Sequence, residues 1–375
     1  MTDLKSRLEP IDELGKGRDD FDRDYTAILY SHAFRRLRHK TQVIFYPQND
    51  HVCTRLDHSL YVAAISEVVC KNLQSRGIDC DPMLARAIGI GHDVGHAPFG
   101  HAGQEVLNEL AADIGGFAHE EHSLRIVDKI EKPRERGSVV GLNLTLAVRD
   151  GIVNHSGEDP CTNISPADSP NLKGKSYPCT LEGCIVRVVD KIAFLGRDLE
   201  DAVIVNLISE DEVPADISGK IGTKNGEIVD YFVGDMIVNS DENRIALSPG
   251  ASQLMTAMAK FNDERIYKHR RIESYKERTR DILQTLFDRF FKAVNAFGNR
   301  IDRYLQHDSL QVLDYLGRFI GARSVLYFKE EANIYPDKKQ LYERIVVDFL
   351  STLTDRFVFE ACEEYFLPKH IEIKA

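Results

Sequence analysis

Along most of this chain the apolar residues recur at helical rather than strand spacing. From Asp57 to Leu73, Val62 is followed by Ile65, Val69 and Leu73 at offsets of three, seven and eleven, and from Pro82 to His92, Leu84 and Ile88 stand four apart. Each segment predicts an amphipathic helix. Leu181 to Leu199 repeats the pattern through Ile185, Val188, Ile192 and Leu195, and Ser274 to Phe297 and Lys338 to Leu353 follow it. The prediction is an all-α fold. Short alternating runs at Asn225 to Ile228 and Arg244 to Ser248 add at most a small β-hairpin. Between His155 and Thr180 the period disappears among Ser, Asp, Asn, Pro, Gly and Lys, which predicts a mobile loop over about 156–180, a candidate lid. A change of composition near residues 210–220 suggests a histidine-rich core, 1–215, and a C-terminal helical region, 216–375.

Composition narrows the class. The 375 residues carry 48 basic and 59 acidic side chains, a net charge of −11, and 43% are apolar, enough for a large core. Acidity argues against broad binding to nucleic acid, where affinity comes from Lys and Arg on phosphates. The run Arg35-Arg36-Leu37-Arg38-His39-Lys40 is a local exception that reads as a helix face paired with carboxylates. No stretch approaches the ~20 apolar residues of a membrane span. The start MTDLKSRLEPIDELGKGRDD lacks the order of a secretory signal, so a cytoplasmic protein with no membrane partner is expected. Seven cysteines (Cys53, Cys70, Cys80, Cys161, Cys179, Cys184 and Cys362) show no paired CxxC spacing. Free thiols are expected rather than disulfides or a zinc ribbon, although Cys161, Cys179 and Cys184 bracket one polar stretch.

Histidine carries the candidate chemistry. Eight of the 13 (His51, His58, His92, His96, His101, His119, His122 and His155) fall between residues 51 and 155. His58 lies four residues before Val62, and His92 continues the Leu84–Ile88 series, so two helices turn an imidazole inward. Asp93 follows His92, and Asp190 lies within the apolar run Ile185 to Ile192. Carboxylates in such places are costly unless a cation compensates them, and a metal ion does this.

These residues are spaced as in the H…HD…D pattern of the HD-domain phosphohydrolases. The words around them, FRRLRHKTQV (Phe34 to Val43), TRLDHS (Thr54 to Ser59), HDVGHAPFGHAG (His92 to Gly103), GGFAHEEHSLRI (Gly115 to Ile126), GLNLT (Gly141 to Thr145) and VDKIAFLGRDLED (Val189 to Asp201), resemble the deoxynucleoside triphosphate triphosphohydrolases, the dGTPase-like family. The resemblance covers about residues 20–205. It implies one divalent ion per subunit, held by His58, His92, Asp93 and Asp190. A mixed nitrogen and oxygen set suits manganese first, with magnesium, iron, cobalt, nickel and zinc as alternatives.

The resemblance also implies roles around the ion. His119 is the catalytic histidine, with Glu120 orienting it. Arg55 holds the α-phosphate, His96 and His101 contact phosphate oxygens, and Lys191 pairs with phosphate. Asp198 pairs with the sugar 3′-hydroxyl, and Gln42 reaches the same end of the sugar. At ~100° per residue, Asp190, Phe194, Asp198 and Lys191 share one face of their helix. Phe194 departs from the tyrosine that many relatives carry there, so its ring can only stack under the sugar. The implied reaction is hydrolysis of dGTP or several dNTPs to deoxynucleoside and inorganic triphosphate. A homo-oligomer with a nucleotide or single-stranded DNA effector is the further expectation. Two alternatives are another HD-domain nucleotide phosphohydrolase and a nucleotide- or nucleic-acid-sensing module without turnover. The alarmone hydrolases fit less well, because HDVGH places glycine and histidine where they carry an acidic pair.

Overall fold

The computed structural model of the chain describes residues 3–11, 17–44, 49–131, 141–157, 162–305 and 311–367. These residues are mostly helical and divide into two compact units. The first comprises Met1–His96 and His119–Ser274, and the second Ala97–Ala118 and Tyr275–Ala375. The residues from 216 to Ser274, grouped by composition with the C-terminal region, thus pack with the first unit.

The first unit is built on three helices that start where the local chemistry demands. Thr54 accepts a hydrogen bond from the Asp57 amide while Asp57 accepts one from the Thr54 amide at 2.9 Å, a reciprocal cap that begins the helix Arg55–Ser75. Asp81 caps Pro82–Gly91, with Pro82 in the first turn, where its missing N–H costs nothing. Thr180 caps Leu181–Ile204 through the Gly183 amide at 3.1 Å. Arg55–Ser75 packs against both of the others, and Asp20–Leu29 and Leu146–Val153 flank Pro82–Gly91. The contact is close because residue 89 is glycine: a Cβ there would lie 2.7 Å from the Ala63 Cα.

One sequence expectation changes. Asn225–Ile228 is not a strand but the first turn of the helix Asn225–Asn239, because Ile228, Phe232 and Met236, at four-residue steps, are all buried on one face, the face packed against Leu181–Ile204. The small sheet instead pairs Asn163–Ile164 with Ile245–Ala246, antiparallel, with Asn163 opposite Ala246. The described part of the aperiodic stretch is organised around buried side chains. Asp150 accepts the Asn171 amide at 2.8 Å and the Cys179 amide at 2.7 Å. Arg187 donates to the carbonyls of Asn154 at 2.6 Å, Ser156 at 2.5 Å and Ser176 at 3.1 Å.

In the second unit, Lys338–Thr352 packs on Gly100–Leu110 and on Gln311–Ala322, which also meets Asp355–Phe366. The Phe99 amide donates to Asp355 at 2.8 Å, and Phe290 meets Phe349 edge to face, their centroids 5.2 Å apart. Among the described residues all six cysteines are free thiols, and Cys161 lies outside them. No described helix is long and apolar enough to cross a membrane.

Candidate metal and active site

Helix register delivers the first side chains. Because the cap at Thr54 begins the helix at Arg55, His58 stands one turn further on and both point into the unit, each 2% exposed. His92 closes Pro82–Gly91, Asp93 begins the turn after it, and Asp190 comes from the middle of Leu181–Ile204. His58 Nε2 lies 2.8 Å from Asp190 Oδ1, His92 Nε2 is 3.6 Å from the same oxygen, and 3.6 Å separates His92 Nε2 from Asp93 Oδ2. The four residues expected to hold an ion therefore converge.

The donor set fits a divalent ion. His92 Nδ1 is 2.7 Å from the Gly89 carbonyl, which can only accept, so Nδ1 carries the hydrogen and Nε2 offers a lone pair. That Nε2 is buried and has no hydrogen-bond partner among the described residues. Such an orphan is costly unless something electrophilic meets it. Burial alone would raise the carboxyl groups, but Arg55 and the imidazoles of His92, His96 and His119 overcome it at Asp93, holding it well below its ordinary range. At Asp190, the His58 hydrogen bond and the neighbouring imidazoles likewise outweigh burial. Both carboxylates are anionic at neutral pH.

Around this cluster the expected polar residues take up distinct places. Arg55 donates to Asp93 Oδ2 at 2.6 Å and to the Gln42 carbonyl at 3.2 Å. Gln42 is buried, and its Oε1 has no hydrogen-bond partner among the described residues. His96 is buried and stacks on His119, ring centroids 4.6 Å apart, and its carbonyl accepts the buried Lys40 ammonium. Gly95 makes that approach possible, since a Cβ would lie 2.2 Å from the Ser123 amide nitrogen on the helix that starts with His119. His119 Nδ1 is 3.3 Å from Glu120, and His119 Nε2 is 3.7 Å from Asp93 Oδ1. Burial pushes the His119 imidazole down to about 4 against the pull of Asp93, so it is neutral at pH 7 in this state. Lys191 reaches the Gly157 carbonyl at 3.4 Å, and Phe194 is half-buried. His101 belongs to the second unit, exposed in the first turn of Gly100–Leu110.

Two residues stand in the site without having been assigned to it. His155 Nε2 lies 3.2 Å from His119 Nε2, and the His155 ring meets His92 edge-on at 4.8 Å. Its signal was its place in the histidine cluster, three residues after Ile152 of an apolar helix. Tyr267 donates its hydroxyl to Asp198 at 2.6 Å, and burial pushes the Asp198 carboxyl up to about 7. Nothing local marks Tyr267, which lies 69 residues further along the chain.

Imidazoles and carboxylates converging from separate helices on a buried, cation-ready centre define a hydrolase of the HD-domain class. The HD domain model matches residues 55–195, which span all four candidate ligands. A deoxyguanosinetriphosphate triphosphohydrolase-like protein of Caldanaerobacter subterraneus subsp. tengcongensis is 33% identical, over 94% of this chain and 86% of its own length. Proteins of the same name from Desulfatibacillum aliphaticivorans (32%, covering 94% and 88%) and Clostridium perfringens strain SM101 (30%, covering 98% and 92%) match as fully. The chain belongs to this deoxyguanosinetriphosphate triphosphohydrolase-like family of HD-domain proteins.

Proposed function

We propose that this chain hydrolyses deoxynucleoside triphosphates, dGTP or several dNTPs, to deoxynucleoside and inorganic triphosphate, with water attacking the α-phosphorus. The observation that carries the reading is the juxtaposition of the His58–His92–Asp93–Asp190 centre with the His119–Glu120 pair. The names of these relatives support the substrate class. A divalent ion on those four side chains, manganese first among the candidates, supplies Lewis acidity and lowers the pKa of a bound water.

The remaining steps fall to the protein. Arg55, poised against Asp93, turns cationic nitrogens toward an α-phosphate, and Lys191 adds a second cation for the phosphate chain. His96 is the further phosphate contact within the first unit in this reading. Glu120, 3.3 Å from His119 Nδ1, orients the imidazole in this reading. The negative charge of the triphosphate favours protonation of that neutral imidazole, which then donates to the departing 5′-oxygen. Asp198 takes the 3′-hydroxyl and Gln42, whose buried Oε1 has no hydrogen-bond partner among the described residues, reaches the same end of the sugar, while Phe194 lies under it.

The test is incubation of the purified protein with each of the four dNTPs and four NTPs, with Mn²⁺ and Mg²⁺ in turn, followed by ion-pair chromatography. Deoxynucleoside and triphosphate in equal amounts are expected. Release of orthophosphate or pyrophosphate, or no turnover with single nucleotides and mixtures, refutes the reading in favour of another phosphohydrolase or a sensing module. Light scattering of the same samples with nucleotide or single-stranded DNA tests the expected homo-oligomer and its effector.

A further inference from the structure

A phenol from a distant helix is bonded to a carboxyl group that the proposed reaction uses. We propose that Tyr267 is a positioning residue for substrate choice: by bonding one oxygen of Asp198 it aims the other at the sugar, and so favours nucleotides that carry a 3′-hydroxyl. The inference rests on the proposed function and adds to it a residue far from the other sugar contacts in the chain.

Tyr267 reaches Asp198 because its helix changes pitch. Pro249–Asn262 is a regular helix, but over Asp263–Tyr267 the turn widens, and the Lys268 amide bonds the Asp263 carbonyl, five residues back, at 3.0 Å. One extra residue in a turn rotates the side chains that follow by about 100° around the axis. Widened turns of this kind are concentrated at functional sites. Asn262 fastens this one to the helix Leu181–Ile204, since its amide donates to the Leu195 carbonyl at 2.9 Å, one turn before Asp198. The Asn262 side chain also faces the Tyr267 hydroxyl, and Ile266 is buried beneath.

The bond gives the two carboxyl oxygens different tasks. Tyr267 donates to Asp198 Oδ2 at 2.6 Å, and Oδ1 takes no hydrogen bond from a described residue. Asp201, Arg55 and Arg197 stand around the carboxyl group, and Asp263 lies near the phenol. Because burial lifts Asp198 to about 7, both of its protonation states are populated at neutral pH, and Oδ2 accepts from Tyr267 in each. Oδ1 is then a bare acceptor in one state and an O–H donor in the other. A hydroxyl, which both donates and accepts, pairs with either state, whereas an ammonium or a phosphate pairs with only one. The terminal torsion of an aspartate is intrinsically broad, so the phenol holds the carboxyl group in place before the sugar arrives.

The experiment compares steady-state kinetics on each dNTP and on the matching 2′,3′-dideoxynucleotide, which lacks only the 3′-hydroxyl, for the wild type, Tyr267→Phe, Asp198→Ala and the double variant. The wild type should show about a tenfold lower KM for the dNTP, the effect of one hydrogen bond, with kcat little changed. Tyr267→Phe should raise KM for the dNTP about three- to tenfold and leave the dideoxynucleotide unmoved, so that most of the preference disappears. In the Asp198→Ala background, Tyr267→Phe should change neither value further. A thermal melt of each variant confirms that it is folded at the assay temperature. Equal effects of Tyr267→Phe on both substrates, no effect on either, or a wild type indifferent to the 3′-hydroxyl overturn the inference and leave the proposed reaction standing. If no nucleotide is turned over, the proposed reaction falls, and the same comparison is read as Kd by equilibrium dialysis. A preference lost in Tyr267→Phe then still supports the positioning role, whereas absence of binding overturns both.

Discussion

Asp198→Asn is predicted to make the protein more stable at alkaline pH while damaging its proposed function. The Asp198 carboxyl is buried, 1% exposed, with the Tyr267 hydroxyl, Asp201, Arg55 and Arg197 around it. Burial lifts it from 3.8 to about 7, against the Tyr267 hydrogen bond and the two arginines. A raised carboxyl binds its proton more tightly when folded than when unfolded. Its contribution is therefore fully present below about pH 4 and is lost as pH rises through about 7. At about 1.4 kcal/mol for each tenfold change in proton affinity, the whole rise corresponds to about 4 kcal/mol by pH 8. Local relaxation and water entry reduce this to about 2–4 kcal/mol. Asparagine keeps an acceptor for Tyr267 and removes the titration. The variant should thus match the wild type near pH 5 and exceed its Tm by about 4–8 °C at pH 8. Asp201, pushed up to about 6 by its own burial, acts with the same sign in both proteins. Paired thermal melts at the two pH values are the assay. A Tm difference that does not change with pH would show that Asp198 is ionised at little cost and would refute the reasoning. If Asp198 holds the sugar hydroxyl, the stabilised variant should also show a raised KM.

His58→Ala and Asp190→Ala should each lose the ion and turnover together, whereas His119→Ala should keep the ion and lose most activity; metal analysis beside a product assay separates the cases. Normal turnover by His119→Ala would remove it from the mechanism. Gly89→Ala gains about 1 kcal/mol of helix propensity but places a methyl 2.7 Å from the Ala63 Cα, so a net loss of about 1–2 kcal/mol and a lower Tm are expected. An unchanged or higher Tm would mean that the two helices separate easily.

Much of the candidate site was legible in the chain because its candidate ligands ride on strongly periodic helices. Val62 and Val69 show which face of Arg55–Ser75 is buried, and His58 is on it; Leu84 and Ile88 do the same for His92. The helix Asn225–Asn239 was misread because four alternating residues at its start look like a strand, whereas burial of Ile228, Phe232 and Met236 acts over three turns. The stretch before Thr180 showed no period because its order comes from Asp150 and Arg187 binding backbone amides and carbonyls, which leave no apolar rhythm.

By itself, the sequence determined the helical class, the helix starts at Thr54, Asp81 and Thr180, and the four candidate ligands. Caps and amphipathic faces depend on residues within a few positions of one another. Only the tertiary structure decided that His155 faces His119 and that Tyr267 bonds Asp198 across 69 residues of chain. It also decided that His92 leaves a lone pair on Nε2, because its tautomer is set by the Gly89 carbonyl. Tautomers, proton affinities and close approaches depend on which groups are brought near in space and how far water is excluded from them, and local sequence carries neither.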